Sequence, residues 1–353
     1  MNEIEIAGRK IGPDHPPFII AEMSGNHNQS IERALAIVEA AAGAGAHGLK
    51  LQTYTADTMT LDLDEGDFFI SDPDSLWKGT SLYKLYEQAH TPWEWHKPIF
   101  ERCYELGIIG FSTPFDDTAV DFLEELNVPA YKIASFENAD IPLIRKVAKT
   151  GKPVIMSTGM ASIAELDSSI KTLRENGCQE IVLLKCTSSY PATPETANIR
   201  TIPHMGELFD VQVGLSDHTL GLGVAVASIA LGATVVEKHF TLARADGGVD
   251  SAFSLEPAEM EQLVIETKRT WQSLGKVSYD ITEAEKKSRQ FRRSLYVSED
   301  IRKGEKLTTR NLRIIRPGKG LAPRYYDLFL GQQVLRDVKR GTPINWALIG
   351  QDE

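Results

Sequence analysis

Short apolar runs alternate with amphipathic segments along most of the chain. Eight runs are rich in Val, Ile, Leu and aromatic residues, a composition typical of buried β-strands. They occupy residues 17–22, 47–54, 108–113, 130–135, 153–158, 180–187, 211–216 and 234–240. Between them, apolar residues recur at three- and four-residue spacing, which predicts helices at residues 30–42, 118–127, 141–150, 162–176 and 257–271. The pattern therefore predicts a repeated β/α unit.

The number of repeats favours one closed architecture. Eight β/α units in roughly 260 residues match the usual size of a (β/α)₈ TIM barrel, and an open doubly wound sheet is the alternative. In a barrel, functional side chains gather at the carboxyl ends of the strands. The eight runs do end in Lys, Glu, Gln, Ser, Thr and His. Turn chemistry alone would favour Gly, Asn, Asp and Pro.

Both ends of the chain differ from the repeated part. Within the predicted barrel domain, residues 1–275, the first 15 residues predict strands that cap one end of the barrel. Residues 276–290 are polar and charged, which predicts a linker to a small β-rich module at residues 291–353. DIRKGEKL at 300–307 is similar to DVKRGTPI at 337–344, so we expect a module of two similar halves.

Composition and charge exclude several functions. The net charge of −11 argues against a nucleic-acid or anionic-membrane partner, since both need a basic surface. The longest uncharged stretch, near residues 220–236, is shorter than the ~20 apolar residues of a membrane span and predicts a helix and a strand. The acidic start is unlike a secretory signal. Cys103, Cys178 and Cys186 fit no Cys-x-x-Cys pattern, which indicates free thiols and a reducing cytoplasm.

Two of the eight histidines stand where apolar runs stop, His218 in GLSDHT and His239 in VVEKHF. Their separation is wrong for one helix face and suits the ends of successive barrel strands. Two imidazoles there could bind one divalent cation, with substrate and water completing its coordination. Two protein ligands indicate Mn²⁺ or Mg²⁺ rather than structural zinc. The alternative is that each is a hydrogen-bonded loop histidine.

Two lysines, Lys50 and Lys132, lie inside apolar runs. An unpaired buried ammonium is costly, so these lysines predict an anionic partner such as a phosphate or carboxylate. Hydroxyl groups at neighbouring strand ends would add directed hydrogen bonds, from Thr113, Ser135, Ser157 and Ser216. The alternative is a solvated rim of polar side chains.

Three further residues have a distinctive setting. Glu22 ends the first run, where a carboxylate of raised pKa can act as a general acid or base, or form a salt bridge to a neighbouring lysine. His27 lies just beyond it, and we predict a mainly structural role. Arg316 lies in RPGKG, a stiff loop on the small module that would suit a residue reaching into another active site.

The motifs AEMSGNHN, KLQTYTAD, FSTPFD, AYKIASFE, STGM, KCTSSYP, GLSDHT, EKHF and RPGKG together resemble the sialic acid synthase family, from about residue 15 to the C-terminus. These enzymes condense phosphoenolpyruvate with a hexose derivative to make a nonulosonic acid. The resemblance implies a (β/α)₈ barrel followed by an antifreeze-like (SAF) domain. It also implies two substrates, phosphoenolpyruvate and an N-acetylated amino sugar.

Residue roles follow from the same resemblance. His218 and His239 match the metal ligands, and Glu22 matches the catalytic carboxylate. Phosphoenolpyruvate-binding positions correspond to Lys50, Thr113, Lys132, Ser135, Ser157, Ser188 and Ser216. Positions near the sugar correspond to Gln52, Tyr190, Asp250 and Arg316. The matching arginine is placed by the SAF domain of one subunit over the active site of the other, which implies a domain-swapped homodimer.

One motif departs from the neuraminic branch of the family. N-acetylneuraminic acid synthases have His-Cys-Thr-Asn-x-Tyr-Pro where this chain has KCTSSYP, so Ser188 replaces an asparagine. KCTSSYP, with QTYTADTMTL, LYKLYEQAHTPWEWH and DSAFSL, is similar to the pseudaminic acid synthase branch. The sugar implied is 2,4-diacetamido-2,4,6-trideoxy-L-altrose, and its methyl and second acetamido group need a more apolar pocket. The aromatic segment at residues 67–77 could supply that pocket.

Other functions remain open at this point. Within the family, the alternatives are synthesis of N-acetylneuraminic or legionaminic acid. A non-enzymatic sugar-binding protein is possible on the SAF module, although the full set of strand-end residues argues against it. A barrel lyase or aldolase would instead form a Schiff base on Lys132 or Lys50.

Overall fold

The chain divides into two compact units, Met1–Gly275 and Lys276–Glu353, called here the barrel unit and the C-terminal unit. The computed structural model describes residues 3–73 and 75–350. The outermost residues of the predicted domains, and residue 74 in the aromatic segment, lie outside the described residues.

The barrel unit begins with a small antiparallel hairpin, β1 (Ile4–Ile6) and β2 (Arg9–Ile11). Eight parallel strands then form a closed barrel in the order β10-β3-β4-β5-β6-β7-β8-β9. They are β3 (Phe18–Glu22), β4 (Gly48–Thr53), β5 (Ile109–Pro114), β6 (Tyr131–Ile133), β7 (Val154–Ser157), β8 (Ile181–Cys186), β9 (Gln212–Ser216) and β10 (Val235–His239). The predicted (β/α)₈ barrel is confirmed, and the doubly wound sheet is excluded because β10 pairs with β3.

Helices of the barrel unit follow the strands and include all five predicted segments. They are α1 (Ile31–Gly43), α2 (Ala56–Met59), α3 (Leu82–Ala89), α4 (Trp93–Glu105), α5 (Asp117–Glu125), α6 (Ile141–Ala148), α7 (Ile163–Glu175), α8 (Thr201–Phe209), α9 (Gly223–Ala230) and α10 (Pro257–Leu274). Several begin at a side chain that accepts a backbone amide hydrogen, such as Ser30, Asp116, Asp140 and Ser162. Within the described part of the chain, no helix is long and apolar enough to cross a bilayer.

Apolar side chains seal one end of the barrel. Alternate residues of each strand face the barrel axis, and the others pack under the helices. Near the amino ends of the strands, Phe18, Phe111 and Ile155 share one buried cluster with Ile4 and Ile11 of the hairpin. Burying each of these side chains contributes about 1.5–3 kcal/mol. Polar inward positions are therefore concentrated at the opposite, carboxyl end.

The C-terminal unit contains α11 (Glu283–Ser288), within the predicted linker, then β11 (Ser294–Val297), β12 (Leu312–Ile315) and α12 (Tyr326–Phe329). Strands β11 and β12 pair antiparallel. Its core is a buried cluster that includes Leu295, Leu307 and Phe329.

The two halves of the internal repeat bind each other reciprocally. Ile301 and Val338 exchange backbone hydrogen bonds of 2.9 and 2.8 Å. The Asp300 carboxylate accepts from the Arg340 amide, and the Asp337 carboxylate accepts from the Lys303 amide, each at 2.8 Å. Asp300 thus binds the amide of the third residue after Asp337, and Asp337 binds the amide of the third residue after Asp300. This symmetry confirms the prediction of two similar halves.

Candidate active site

A buried ion pair joins the first two barrel strands. Glu22 and Lys50, opposite each other on β3 and β4, approach to 2.5 Å between Oε2 and Nζ. Gln52 donates from Nε2 to Glu22 Oε1 at 2.9 Å, and Lys50 donates to Thr113 Oγ1 at 3.1 Å. The structure thus brings four predicted site residues into one hydrogen-bonded group. The salt bridge considered as an alternative role for Glu22 is present.

A second lysine lies across the barrel in similar surroundings. Lys132 donates to Ser157 Oγ at 2.7 Å, and its Nζ lies 3.6 Å from Glu237 Oε1. The same Glu237 oxygen accepts from Ser216 at 3.3 Å and lies 3.9 Å from Lys50 Nζ. The sequence predicted an anionic ligand to offset the two buried lysines. In the structure, Glu22 and Glu237 already provide that negative charge.

These four charged groups differ in their affinity for protons. Burial raises the pKa of Glu22 to about 7, against the opposing attraction of Lys50. Burial would also raise the pKa of Glu237, but the ammonium groups of Lys132 and Lys50 outweigh it and hold that pKa below its ordinary value. Burial lowers the pKa of Lys132. Two carboxyl groups with separated pKa values can divide proton transfer and charge stabilisation between them.

The two predicted metal ligands face each other at the ends of β9 and β10. The His218 and His239 ring centroids are 5.4 Å apart. His218 Nδ1 donates to the Thr187 carbonyl at 3.0 Å, so Nε2 is the nitrogen that a neutral ring would offer to a metal ion. Burial would lower the pKa of His218, but its contact with Cys186 outweighs burial and holds that pKa above its ordinary value. His239 Nδ1 is buried, makes no hydrogen bond to the described residues and lies 3.7 Å from Asp250 Oδ2. Burial holds the pKa of His239 well below its ordinary value, so its imidazole is neutral, as a metal ligand must be.

The pair fits a site with two protein ligands. Within the described residues, no group of three or more His, Cys, Asp or Glu is arranged to hold a metal ion. Asp217 and Glu237, which precede and flank the histidines in sequence, bind lysines instead. A cation held by two imidazoles would leave coordination positions for substrate and water.

Aromatic rings border the histidines. The Tyr190 ring centroid lies 4.4 Å from that of His218, and the Phe253 centroid lies 4.9 Å from that of His239. Asp250 accepts a hydrogen bond from Ser24 Oγ close by. Of the predicted sugar-side residues, Gln52, Tyr190 and Asp250 are therefore at the barrel mouth. Arg316 belongs to the C-terminal unit and is exposed there.

Two hydroxyl groups converge on a glycine after β7. A Cβ at Gly159 would lie 2.1 Å from Ser188 Oγ and 2.6 Å from Ser135 Oγ, so a side chain there would displace both hydroxyls. Gly159 donates its amide hydrogen to Ser135 Oγ at 3.2 Å. Asn138 donates to the carbonyls of Ser157 and Gly159, at 3.2 and 2.9 Å, which fastens this loop. The arrangement offers hydroxyls for an anionic substrate group.

Sequence reasoning missed several residues of the site. Glu237 was not among the predicted site residues, and its partner lysines are distant in sequence. Glu137 is half-buried, with a buried Oε2 that makes no hydrogen bond to the described residues. Cys186 lies 3.9 Å from both Ser188 Oγ and His218 Nδ1. No local pattern identifies Cys186 or Glu237, because both faces of β8 and β10 are buried and the sequence does not show which residues face the axis.

Two further polar residues, His27 and Lys185, make structural contacts. His27 is fully buried, accepts from the Gln29 amide and pairs with Thr91, as predicted. Lys185 lies on the face of β8 that carries Leu183 toward the helices, and donates to the Cys186 carbonyl at 2.7 Å. Lys185 therefore faces the outer shell and not the barrel axis.

A closed barrel with one sealed end and buried charged groups at the other is the arrangement of a TIM-barrel enzyme. Residues 37–279 match the model of the NeuB family, and residues 292–349 match the SAF domain. The chain belongs to the NeuB family, and its C-terminal unit carries a SAF domain.

Three similar proteins span nearly the same length. The chain is 44% identical to the pseudaminic acid synthase of Campylobacter jejuni, over 93% of this chain and 95% of the relative. It is 43% identical to the pseudaminic acid synthase of Helicobacter pylori, over 94% and 97%. A crystal structure of the N-acetylneuraminic acid synthetase of Leptospira borgpetersenii matches with a TM-score of 0.73 and 31% identity, over 81% of this chain and 95% of that chain.

Proposed function

We propose that the protein is a pseudaminic acid synthase, which condenses phosphoenolpyruvate with 2,4-diacetamido-2,4,6-trideoxy-L-altrose to give pseudaminic acid and phosphate. The observation that carries this proposal is the 43–44% identity to two pseudaminic acid synthases over nearly the whole of each chain. Identity to the N-acetylneuraminic acid synthetase is lower, at 31%. Ser188 in KCTSSYP points in the same direction.

The paired charges explain how the barrel would bind phosphoenolpyruvate. Lys50 and Lys132 attract its phosphate and carboxylate, and hydroxyls such as Ser135 and Ser157 give those anions directed bonds. Fixing both anions orients C3 of the enol toward the sugar aldehyde. Much of the entropy lost in bringing the two substrates together is then lost on binding and not in the reaction step. Glu237 stays ionised between the lysines and limits the net positive charge of the site before phosphoenolpyruvate binds.

As C3 bonds to the aldehyde carbon, the π electrons of the aldehyde move to its oxygen, which takes up a proton and becomes a hydroxyl group, and positive character develops at C2. Water adds to C2, and Glu22 accepts its proton, since a carboxyl group with a pKa near neutrality can hold and release one. The C2–O bond to phosphate then breaks, and phosphate leaves. His218 and His239 would hold a divalent cation, Mn²⁺ or Mg²⁺, which when bound supplies Lewis acidity toward the aldehyde oxygen.

A phosphate-release assay with Mn²⁺ tests the proposed reaction. Purified protein is given phosphoenolpyruvate and one of three sugars: the diacetamido-trideoxy-altrose, its mannose-configured counterpart, or N-acetylmannosamine. We expect turnover with the altrose sugar. A preference for N-acetylmannosamine would contradict the assignment within the family. If no phosphate is released with any of the three sugars, the non-enzymatic alternative is favoured.

The proposed binding of a metal ion by the two histidines is tested with a variant that lacks one of them. His239→Ala removes one of two imidazole ligands, so we expect turnover to be lost at micromolar Mn²⁺ and a weaker Mn²⁺ affinity by calorimetry. His204→Ala, on α8, is the matched control because that histidine lies on an outer helix. Wild-type activity and Mn²⁺ binding in His239→Ala would refute the ligand assignment.

A domain-swapped homodimer is part of the proposal, and charge supports it. With His neutral, residues 276–353 contain 17 Lys and Arg against 10 Asp and Glu, whereas residues 1–275 contain 21 against 39. The C-terminal unit is therefore net positive, +7, and the barrel unit net negative, −18. Opposite net charges favour association of a basic C-terminal unit with an acidic barrel, which in the proposed dimer belongs to a second copy.

Mixing two inactive variants tests the swap. His239→Ala disables one barrel, and Arg316→Ala disables one SAF loop. If Arg316 serves the partner's barrel, a mixed dimer contains one site with both residues intact, so co-refolding the two variants restores activity. If Arg316 serves its own barrel, no intact site forms and the mixture stays inactive.

A further inference from the structure

A cavity of about 540 Å³ lies beside Asp250 at the mouth of the barrel. Its lining includes the apolar side chains of Leu76, Trp77 and Val249 and the amide side chains of Asn28 and Gln29. Leu76 and Trp77 come from the aromatic segment after β4. This cavity is separate from the lysine and glutamate cluster inside the barrel.

Trp77 connects the cavity with the histidine pair. Its ring centroid lies 6.1 Å from that of Tyr190, which is 4.4 Å from that of His218. Val249, the residue before Asp250, accepts the Trp77 indole N–H at 3.0 Å. A six-carbon chain with its aldehyde at the histidines and its middle beside Tyr190 would therefore end at Trp77.

The side of the cavity formed by Trp77 is apolar, and its indole N–H is not free to donate a hydrogen bond to a ligand. Because the Val249 carbonyl occupies the indole N–H, the ring meets the cavity with its hydrocarbon surface. A methyl group or an acetamido methyl gains from burial there. A hydroxyl group brought against the same wall would lose water without gaining a hydrogen bond, which is unfavourable.

We propose that this cavity binds the acetamido and methyl end of the sugar, and that Trp77 is the residue that selects an N-acylated deoxy sugar over one hydroxylated at C6. The proposal rests on the proposed function and adds to it the part of the protein that recognises the far end of the substrate. Asn28 and Gln29 also line this cavity. Their side-chain NH2 groups already donate to backbone carbonyls, so their amide oxygens are the groups that could accept the N–H of an acetamido group.

The test is a cycle of two sugars and two protein variants. The sugars are the diacetamido-trideoxy-altrose and its analogue with a hydroxyl at C6, and kcat/KM is measured for each with saturating phosphoenolpyruvate. Wild-type protein should prefer the deoxy sugar by about 10- to 100-fold, the range that one apolar contact in a pocket supplies. Trp77→Ala should lose most of this preference while the KM for phosphoenolpyruvate stays near the wild-type value.

Two further variants separate recognition from folding. Trp77→Phe keeps an apolar ring and should retain more of the preference than Trp77→Ala, and it serves if the alanine variant fails to fold. Trp271→Phe is the matched control, since that indole also donates to a carbonyl, Pro13 at 2.9 Å, but on α10. It should keep the wild-type preference.

The outcomes are distinct. An unchanged preference in Trp77→Ala would overturn the role of Trp77 while the proposed reaction stands. If that variant fails to fold, a preference in Trp77→Phe equal to that of Trp271→Phe would overturn it in the same way. Failure of wild-type protein to turn over either sugar would contradict the proposed function, and with it the ligand named for this cavity.

Discussion

Lys238 and Asp217 form a fully buried ion pair, 3.0 Å between Nζ and Oδ2, directly behind the two histidines. Asp217 precedes His218, and Lys238 precedes His239. Lys238 also donates to the carbonyls of Thr219 and Gly221, at 2.6 and 3.1 Å. The pair thereby ties the end of β10 to the turn that follows β9. His218 and His239 belong to the two segments that this ion pair joins.

We expect Lys238→Met to weaken both the fold and the proposed metal site. Removal of one partner leaves the Asp217 carboxylate buried without its counter-charge, which costs about 3 kcal/mol or more. The ends of β9 and β10 lose their common anchor, so Mn²⁺ affinity should fall as well. Denaturant unfolding and calorimetric Mn²⁺ titration measure the two effects.

Lys152→Met provides the comparison, because Lys152 pairs with Glu124 at 2.6 Å on the outside of the barrel and is only partly buried. A partly exposed pair contributes little, about 1 kcal/mol at most. If Lys238→Met binds Mn²⁺ as tightly as Lys152→Met does, the ion pair has a structural role alone.

The facing of strand-end residues shows what the sequence could predict. Parallel barrel strands are buried on both faces, so most of their residues are apolar and the sequence shows no alternation of apolar and polar positions. The strand ends were therefore located correctly, but not which side chains point inward. Lys50 and Lys132 face the axis, whereas Lys185 and Lys238 face the helices.

The partners of the inward lysines could not be predicted for a different reason. Glu237 meets Lys50 and Lys132 only because the barrel closes and brings β10 beside β3. That contact depends on closure and register, which no local pattern encodes. The apolar runs located every barrel strand to within one residue except β6, which ends at Ile133, two residues before the end of the predicted run, since burial and length suffice to locate a strand.

Gly159→Ala tests the pair of hydroxyls after β7. A Cβ would collide with Ser188 Oγ and Ser135 Oγ, so both must move from the positions offered to an anionic substrate. We expect the KM for phosphoenolpyruvate to rise about tenfold or more, the effect of losing one to two directed hydrogen bonds. The KM for the sugar should change much less, and steady-state kinetics with each substrate varied separates the two.

A glycine in open surroundings controls for the added methyl group. A Cβ at Gly43, in the last turn of α1, meets nothing within 4 Å. Gly43→Ala should leave both KM values unchanged. Equal KM values for phosphoenolpyruvate in Gly159→Ala and wild type would place the anion elsewhere in the barrel.

Glu137 should make stability depend on pH. Burial raises the pKa of Glu137 to about 7, although Lys132 opposes this, so the folded protein binds a proton more tightly than the unfolded chain does. Stability is then highest at acidic pH, falls as pH rises from about 4.5 to 7, and is constant above that range. The fall is at most about 3 kcal/mol.

Glu137→Gln cannot ionise and should lack this fall. The difference in unfolding free energy between the variant and wild type should therefore grow in favour of the variant between pH 5 and pH 7.5. Glu125→Gln, at an exposed position on α5, is the control. Parallel pH profiles for wild type and Glu137→Gln would show that Glu137 is solvated in solution.

Lys132 distinguishes the proposed condensation from a Schiff-base mechanism. Burial lowers the pKa of Lys132, a property shared with lysines that attack carbonyl groups. Yet its Nζ donates to Ser157 Oγ at 2.7 Å and lies 3.6 Å from Glu237, so it is held as a charged donor. We expect borohydride to trap no adduct with the sugar or with pyruvate, as judged by intact mass.

The variants Lys132→Met and Lys132→Arg extend the same test. If Lys132 binds an anion, the methionine variant should raise the KM for phosphoenolpyruvate about 100-fold, because a buried charge contact is worth about 2–5 kcal/mol. The arginine variant keeps a positive charge and should raise this KM less. If Lys132 forms a Schiff base, arginine cannot replace its amine and both variants are equally inactive. A trapped adduct on Lys132 together with an inactive Lys132→Arg would favour the aldolase alternative over condensation.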